Sequence, residues 1–179
     1  IPTRMPRAFK YDVAITAADF DALAVAEIKR RLEQRLTKGV FASPRSGDQT
    51  RTAAAGAAVR KSIEKDARVV VVLFQRLWGA TPTTTGEAAA LKARIGNVKH
   101  KDVLIIPVDT SPIPSWLKGT IVRSAGAPTS NAVIDAIVDA VEAAGGSPKR
   151  MTDAIIAARV AEDDQRAKAR TTFLTSQRA

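Results

Sequence analysis

Glu87 is the residue of this chain whose type and position are best suited to chemistry. It follows an unbroken apolar run, 69–74, and a loop, 75–85, and it opens an Ala-rich stretch. Such a run, bounded by charge, is typical of a strand buried on both faces of a parallel sheet. Ligands bind beyond the carboxyl ends of these strands, so a carboxylate delivered there is placed to act on one. A competing interpretation is an acid in the first helical turn, stabilised by the helix dipole.

The composition excludes several kinds of site. The 179 residues contain no cysteine and one histidine, His100, which lies in a predicted surface loop. Disulfides, thiolate metal sites and a Cys nucleophile are therefore excluded. A single histidine also argues against His-based metal clusters and Ser-His-Asp catalysis. We expect no metal site.

The ends and the hydropathy of the chain favour a cytoplasmic protein. Neither end shows the charged, apolar and small-residue pattern of a secretory signal. No apolar run reaches the roughly 20 residues that a membrane-spanning helix needs. We therefore expect cytoplasmic localisation and no membrane partner.

The charge of the chain favours contact with polyanions. The net charge is +10, from 28 Lys and Arg against 18 Asp and Glu, and the basic residues are dispersed. Aromatic residues make up only 4% of the chain, which gives little support to base stacking on single strands. The sequence therefore predicts only non-specific binding of nucleic acid.

Short apolar runs alternate with amphipathic stretches along most of the chain. The predicted strands are 11–15, 40–42, 69–74 and 103–108, with a possible edge strand at 120–122. The predicted helices are about 19–37, about 50–65, a helix opening at Glu87 and ending at Gly96, and 131–144. In the first helix, Asp19 is the expected N-cap, and the expected apolar face is Leu23, Ala26, Leu32 and Leu36.

This alternation predicts an α/β fold. With short connections and right-handed crossovers, it gives a flavodoxin-like, doubly wound parallel sheet of about five strands with helices on both faces. The α/β domain is expected over 10–146. A helical extension is expected over 147–179, either as a linker to a further domain outside this chain or as a solvated helix packed loosely on the domain.

Two common nucleotide-binding motifs are absent from the sequence. The turn after the first strand, 15–19, contains no glycine, so it lacks the cradle of dinucleotide dehydrogenases. No P-loop pattern occurs anywhere in the chain. A nucleotide held by this sheet would need another binding geometry.

Over about 10–144 the chain resembles a TIR (Toll/interleukin-1 receptor) domain of bacterial type. The resemblance rests on the order and spacing of the elements and above all on the segment from Thr81 to Glu87. Trp78 falls at the family's first aromatic, and Thr81-Pro82 at its Ser-Pro. Glu87 falls at the family's catalytic glutamate, and Thr83 stands where the family usually has Trp.

The resemblance implies a hydrolase that cleaves NAD+ between nicotinamide and ribose, giving ADP-ribose or a cyclised isomer. NAD+ would be the substrate, with no further cofactor and no metal. Glu87 would be catalytic. The residues expected to flank the substrate are Thr16, Ala17, Asp19, Ser43, Arg45, Trp78 and Thr83. Arg45 could contact the pyrophosphate or be a solvated loop residue, and Trp78 could be a ring platform or a packing aromatic.

One carboxylate suffices for this reaction. The leaving group is already cationic in NAD+, so it needs no general acid. The transition state resembles an oxocarbenium ion, so a nearby anion stabilises the developing charge.

The resemblance also implies self-association. Family members usually act when assembled through TIR–TIR contacts, often as effector domains of bacterial antiphage defence proteins that deplete NAD+. A C-terminal sensor domain in the full-length protein would fit that arrangement.

Two other functions stay open at this point. A non-catalytic TIR-like interaction module would keep the sheet and use Glu87 only as a helix N-terminal anion. A nucleoside or nucleotide-sugar transferase would need a second carboxylate, and the nearest candidate, Asp109, is better interpreted as the cap of a proline loop.

Overall fold

The computed structural model of this protein describes residues 8–42, 53–97, 102–124 and 126–178. The chain forms two compact units, Ile1–Lys149 and Arg150–Ala179. The first unit contains a sheet with helices, and the second contains one long helix.

The first unit is built on five parallel strands. They are β1 (Tyr11–Thr16), β2 (Val40–Ala42), β3 (Ala67–Phe74), β4 (Val103–Pro107) and β5 (Thr120–Ile121). Their order in the sheet is β2-β1-β3-β4-β5, and each neighbouring pair is parallel. This is the flavodoxin-like order, so the predicted fold is confirmed. The apolar run that precedes Glu87 forms the central strand β3.

Helices cover both faces of the sheet. They are α1 (Ala22–Glu33), α2 (Ala53–Lys61), α3 (Pro82–Asn97) and α4 (Asn131–Ala143). Alternate residues of β3 point into two separate core layers. Val69, Val71 and Leu73 pack with α1 and α4. Val70, Val72 and Phe74 pack with α2 and α3.

The apolar face expected for the first helix is partly wrong. A 3-10 turn, Asp19–Asp21, precedes α1. Leu23 is 89% exposed and Ala26 is also exposed, whereas the buried residues of α1 are Val25, Ile28 and Leu32. Leu23 and Leu32 are nine residues apart in α1, about two and a half turns of helix, so they lie on opposite faces and cannot share one apolar face.

The expected cap of that helix is also wrong. The N-cap position of α1 is Asp21, whose side chain makes no capping hydrogen bond. Asp19 lies two residues earlier, and its carboxylate makes a polar contact with a threonine of α3. The Asp19 side chain thus contacts a neighbouring element.

α1 ends at Glu33, four residues before its expected end, and apart from the start of α3 the other described boundaries lie within about two residues of the expected ones. α2 continues into a π turn, Ser62–Asp66, directly before β3. Pro107 ends β4, where a missing N–H donor is tolerated. Ser130 caps α4 by accepting the Val133 N–H, and Gly145 follows α4 with φ of +92°.

The end of α3 remote from Glu87 is anchored by a buried arginine. Arg94 donates to the carbonyl oxygens of Ile63 at 3.1 Å and of Ala67 at 2.8 Å. It also donates to the carbonyl of Arg68 at 2.7 Å. One side chain thereby fixes α3 to the π turn and to the start of β3.

The second unit consists of α5 (Asp153–Arg178), which confirms the predicted helical extension. Thr152 precedes it, and its hydroxyl accepts the Ile155 N–H. Across the part of the chain that the structure describes, no helix combines the length and the apolarity that crossing a membrane requires.

Candidate active site

The candidate site lies at the carboxyl ends of β1 and β3, where the strand order changes direction. β1 is followed by β2 on one side, whereas β3 is followed by β4 on the other. In open α/β sheets, ligands bind in the crevice at such a switch point. β1 ends at Thr16, which pairs in register with Val72 of β3. Of the residues predicted for the site, Ala17 and Asp19 follow β1, and Trp78, Thr83 and Glu87 follow β3.

The buried side chain of Trp78 connects the loop after β3 with the end of β1. Its Nε1 donates to Thr16 Oγ1 at 2.9 Å, and both side chains are buried. The indole packs edge-on to Phe74 and stacks on Trp116, with 6.1 Å between ring centroids in each case. These contacts favour the packing interpretation of Trp78 over a ring platform.

Two further polar contacts join the segments after β1 and β3. Gln75 Nε2 donates to Asp21 Oδ2 at 3.0 Å. Thr83 Oγ1 lies 3.5 Å from Asp19 Oδ2, a polar contact longer and weaker than an ordinary O–H···O hydrogen bond. Gln75 is buried although it is polar, and no local sequence pattern would have selected it. Three polar contacts thus connect β1 and the turn after it with the loop after β3 and the start of α3.

The helix that carries Glu87 begins earlier than expected. α3 starts at Pro82, so the predicted loop, 75–85, and the first-turn interpretation of Glu87 are both wrong. Thr81 Oγ1 accepts the Thr84 N–H at 3.2 Å, and Thr84 Oγ1 accepts the Thr81 N–H at 3.3 Å. This is a reciprocal capping box, and proline at the first helical position favours the same start. The Thr-Pro-x-Thr pattern was the signal that locates it.

Glu87 lies in the second turn, on the buried face of α3. It is 1% exposed, and Thr84 and Leu91 on the same face are also buried. Thr83 precedes Glu87 by four residues, so both side chains lie along one side of the helix. Because Thr83 contacts Asp19, three of the predicted site residues fall on one flank of the crevice.

A cation that the sequence analysis did not select lies beside this helix. A Cβ placed on Gly86 would be 3.6 Å from Cδ and 3.7 Å from Nη1 of Arg60, an exposed residue of α2. The Arg60 side chain therefore lies against α3 at Gly86, the residue before Glu87. No local sequence pattern predicts that Arg60 lies beside Gly86, because this contact depends on how α2 packs on α3.

Trp116 is a second aromatic that the sequence analysis missed. It is half-buried and stacks on Trp78 at an interplanar angle of 26°. Its ring also lies 4.7 Å from the Lys92 ammonium of α3, within range of a cation–π contact. The aromatic layer under the site thus extends from β3 to the loop before β5.

Asp109 acts as the expected loop cap. Its carboxylate accepts the Arg76 N–H and the Ser111 N–H, each at 3.0 Å. These hydrogen bonds, with that from Arg76 the stronger cause, hold the pKa of Asp109 below its ordinary value. The residue therefore connects the loops after β3 and β4.

The other predicted residues have mixed outcomes. Ala17 is buried directly after β1. Ser43 and Arg45, and the surface position predicted for His100, lie outside the described residues. Over 8–42, 53–97, 102–124 and 126–178, no group of three or more His, Cys, Asp or Glu side chains is placed to hold a metal ion.

Comparison with known proteins adds no relative. No protein-family model matches the chain, and no curated protein matches it. The function is therefore inferred from the fold and the geometry of the site, and membership of the TIR family stays a prediction.

Proposed function

We propose that this protein is an NAD+ glycohydrolase with Glu87 as its catalytic carboxylate, acting as the effector domain of a bacterial antiphage defence protein. The observation that carries the proposal is a buried carboxylate on α3 at the β1/β3 switch point. The loop after β1 contacts the same side of that helix through Asp19 and Thr83.

The proposed reaction breaks the bond between the anomeric carbon and the pyridinium nitrogen. The bonding electrons leave with nicotinamide, which becomes neutral, and positive charge develops on the ribose. Glu87 stabilises that charge electrostatically. Water then adds to the anomeric carbon and releases a proton, so NAD+ and water give nicotinamide, ADP-ribose and H+. A cyclised isomer results when an atom of the ADP-ribose takes the place of water.

The burial of Glu87 supports activation by assembly. At 1% exposure its carboxylate contacts substrate only after the groups that cover it move. A contact with a neighbouring copy can favour the open arrangement if it binds that arrangement better. The proposal therefore includes self-association as the activating step, with a sensor domain to drive it.

We expect the 179-residue chain to be mostly monomeric and nearly inactive, and to gain activity per protomer when it is clustered. The test fuses the chain to an oligomeric scaffold and to a monomeric variant of the same scaffold. Nicotinamide release from NAD+ is then followed by chromatography at several protein concentrations. High activity from the monomeric fusion, independent of concentration, would contradict activation by assembly.

A non-catalytic interaction module is the second candidate. Phe20 and Leu23 favour it, because they are 65% and 89% exposed just after β1, and exposed apolar side chains beside one another often mark protein contacts. The same clustering assay separates the two functions. A module would self-associate and release no nicotinamide in any fusion.

Nucleic-acid binding is expected to be non-specific. Dispersed basic residues and few aromatics should give dissociation constants of about 10⁻⁴ to 10⁻⁶ M at physiological salt, weakening steeply as salt rises. The measurement titrates unrelated duplex and single-stranded oligonucleotides at two salt concentrations. Tight binding that prefers one sequence and survives high salt would instead indicate a specific reader.

A further inference from the structure

The Thr84 hydroxyl is the point where the loop after β3 meets the helix that carries Glu87. Thr84 is fully buried. Its Oγ1 accepts the Gly79 N–H at 2.8 Å and the Thr81 N–H at 3.3 Å, and it lies 2.6 Å from Thr81 Oγ1. A hydroxyl oxygen has two lone pairs and one proton. With both lone pairs facing N–H groups, Thr84 donates its proton to Thr81.

These contacts hold the loop against α3 on both sides of Glu87. Gly79 binds Thr84 three residues before Glu87, and a Cβ placed on Gly79 would lie 3.6 Å from Cβ of Ala88, one residue after it. Gly79 adopts φ of +85°, a left-handed conformation that favours glycine. The loop backbone therefore lies along the helix at the level of the carboxylate.

The same loop leads directly to the end of β1. Trp78 precedes Gly79 and donates to Thr16 through its indole nitrogen. A chain of two hydrogen bonds, one buried and one partly buried, thus runs from β1 through the loop to Thr84. Glu87 follows Thr84 by three residues on the same helical face, so the rotation and height of the first turn of α3 determine where the carboxylate lies.

We infer that Thr84 is a positioning residue for Glu87, an inference that rests on the proposed NAD+ cleavage. Its hydroxyl fixes the first turn of α3 against the loop, and it does not itself touch substrate. Small displacements of a catalytic group reduce the rate of the chemical step more than they reduce substrate binding. The inference therefore concerns kcat rather than KM.

The test compares Thr84→Val with Thr84→Ser in the clustered full chain. Valine keeps the shape of threonine and removes the hydroxyl, whereas serine keeps the hydroxyl. We expect Thr84→Val to lower kcat by about 10²-fold, the loss that a misplacement of about 1 Å can cause. KM should stay within about twofold, and Thr84→Ser should keep most of the wild-type kcat.

Ser62→Ala is the matched control for a lost buried hydroxyl. Ser62 is buried and donates to the Ala58 carbonyl. It lies in the π turn before β3, so it is near the end of that strand remote from the candidate site. We expect this variant to lose stability and to keep its kcat. If Thr84→Val does not fold, Thr81→Ala replaces it, because Thr81 is only partly buried and its hydroxyl forms a hydrogen bond with the Thr84 hydroxyl. Thr81→Ala should then lower kcat by about tenfold.

Each result separates the inference from the proposed function. A wild-type kcat in Thr84→Val, or in Thr81→Ala where that variant is used, would overturn the positioning role and leave the NAD+ cleavage standing. A raised KM with unchanged kcat would also overturn it, since it would indicate substrate contact. Wild-type chain that releases no nicotinamide when clustered would overturn the proposed function and the inference together.

Discussion

Glu87→Gln is expected to lower the rate of NAD+ cleavage by a factor on the order of 10² or more. Glutamine has nearly the shape of glutamate and can still form hydrogen bonds, but it carries no charge. The developing positive charge on the ribose then loses its anionic partner, whereas substrate binding in the ground state changes less. The measurement is nicotinamide release from the clustered chain, compared with the wild type at saturating NAD+.

Glu142→Gln is the matched control for this variant. Glu142 is an exposed residue of α4, which packs on the other face of the sheet. It should keep the wild-type rate. The melting temperature of Glu87→Gln is measured alongside, because Glu87 is buried. Equal rates in Glu87→Gln and the wild type would reject Glu87 as the catalytic residue.

Arg94→Met is expected to reduce the free energy of unfolding by about 3 kcal/mol or more. Methionine fills much of the same space, but the carbonyls of Ile63, Ala67 and Arg68 lose their charged donor. For a protein of this size, such a loss lowers the melting temperature by about 6–12 °C. Thermal and urea unfolding followed by circular dichroism measure both quantities.

Lys118→Met separates this effect from a general response to the loss of a cation. Lys118 is exposed in the loop before β5, so the variant should change stability by less than about 0.5 kcal/mol. If Arg94→Met were as stable as Lys118→Met, the buried arginine would not be the anchor of α3.

The sheet could be predicted because the local sequence pattern of each strand indicates its position. The central strand carries apolar residues on both faces, which only a strand covered from both sides can bury. Alternation with helices then leaves few possible topologies, and the observed order is the expected one. Glu87 was selected as a candidate for the same reason, since it follows this strand.

The start of α3 was predicted too late in the sequence, because threonine is favoured both in loops and at helix N-caps. Three consecutive threonines, 83–85, favour a loop by composition, yet Thr81 and Thr84 cap each other around Pro82. The relevant evidence was the spacing of these residues rather than their individual preferences.

Long-range partners could not be predicted from any local pattern. Arg94 binds carbonyls about 30 residues earlier in the chain, and Gln75 binds Asp21 across the loops. Arg60 lies beside Gly86 only because two helices pack closely. Each contact requires the relative placement of elements, which one sequence does not supply.

Short edge strands have a consequence for a protein that we propose acts when it is clustered. β2, as far as it is described, has three residues and β5 has two. An unpaired strand edge can recruit another chain through backbone hydrogen bonds and so begin amyloid-like growth, and short edges oppose this. Under the proposed self-association, copies should therefore meet through side chains of helices and loops, and the assembly should be able to dissociate rather than form fibrils.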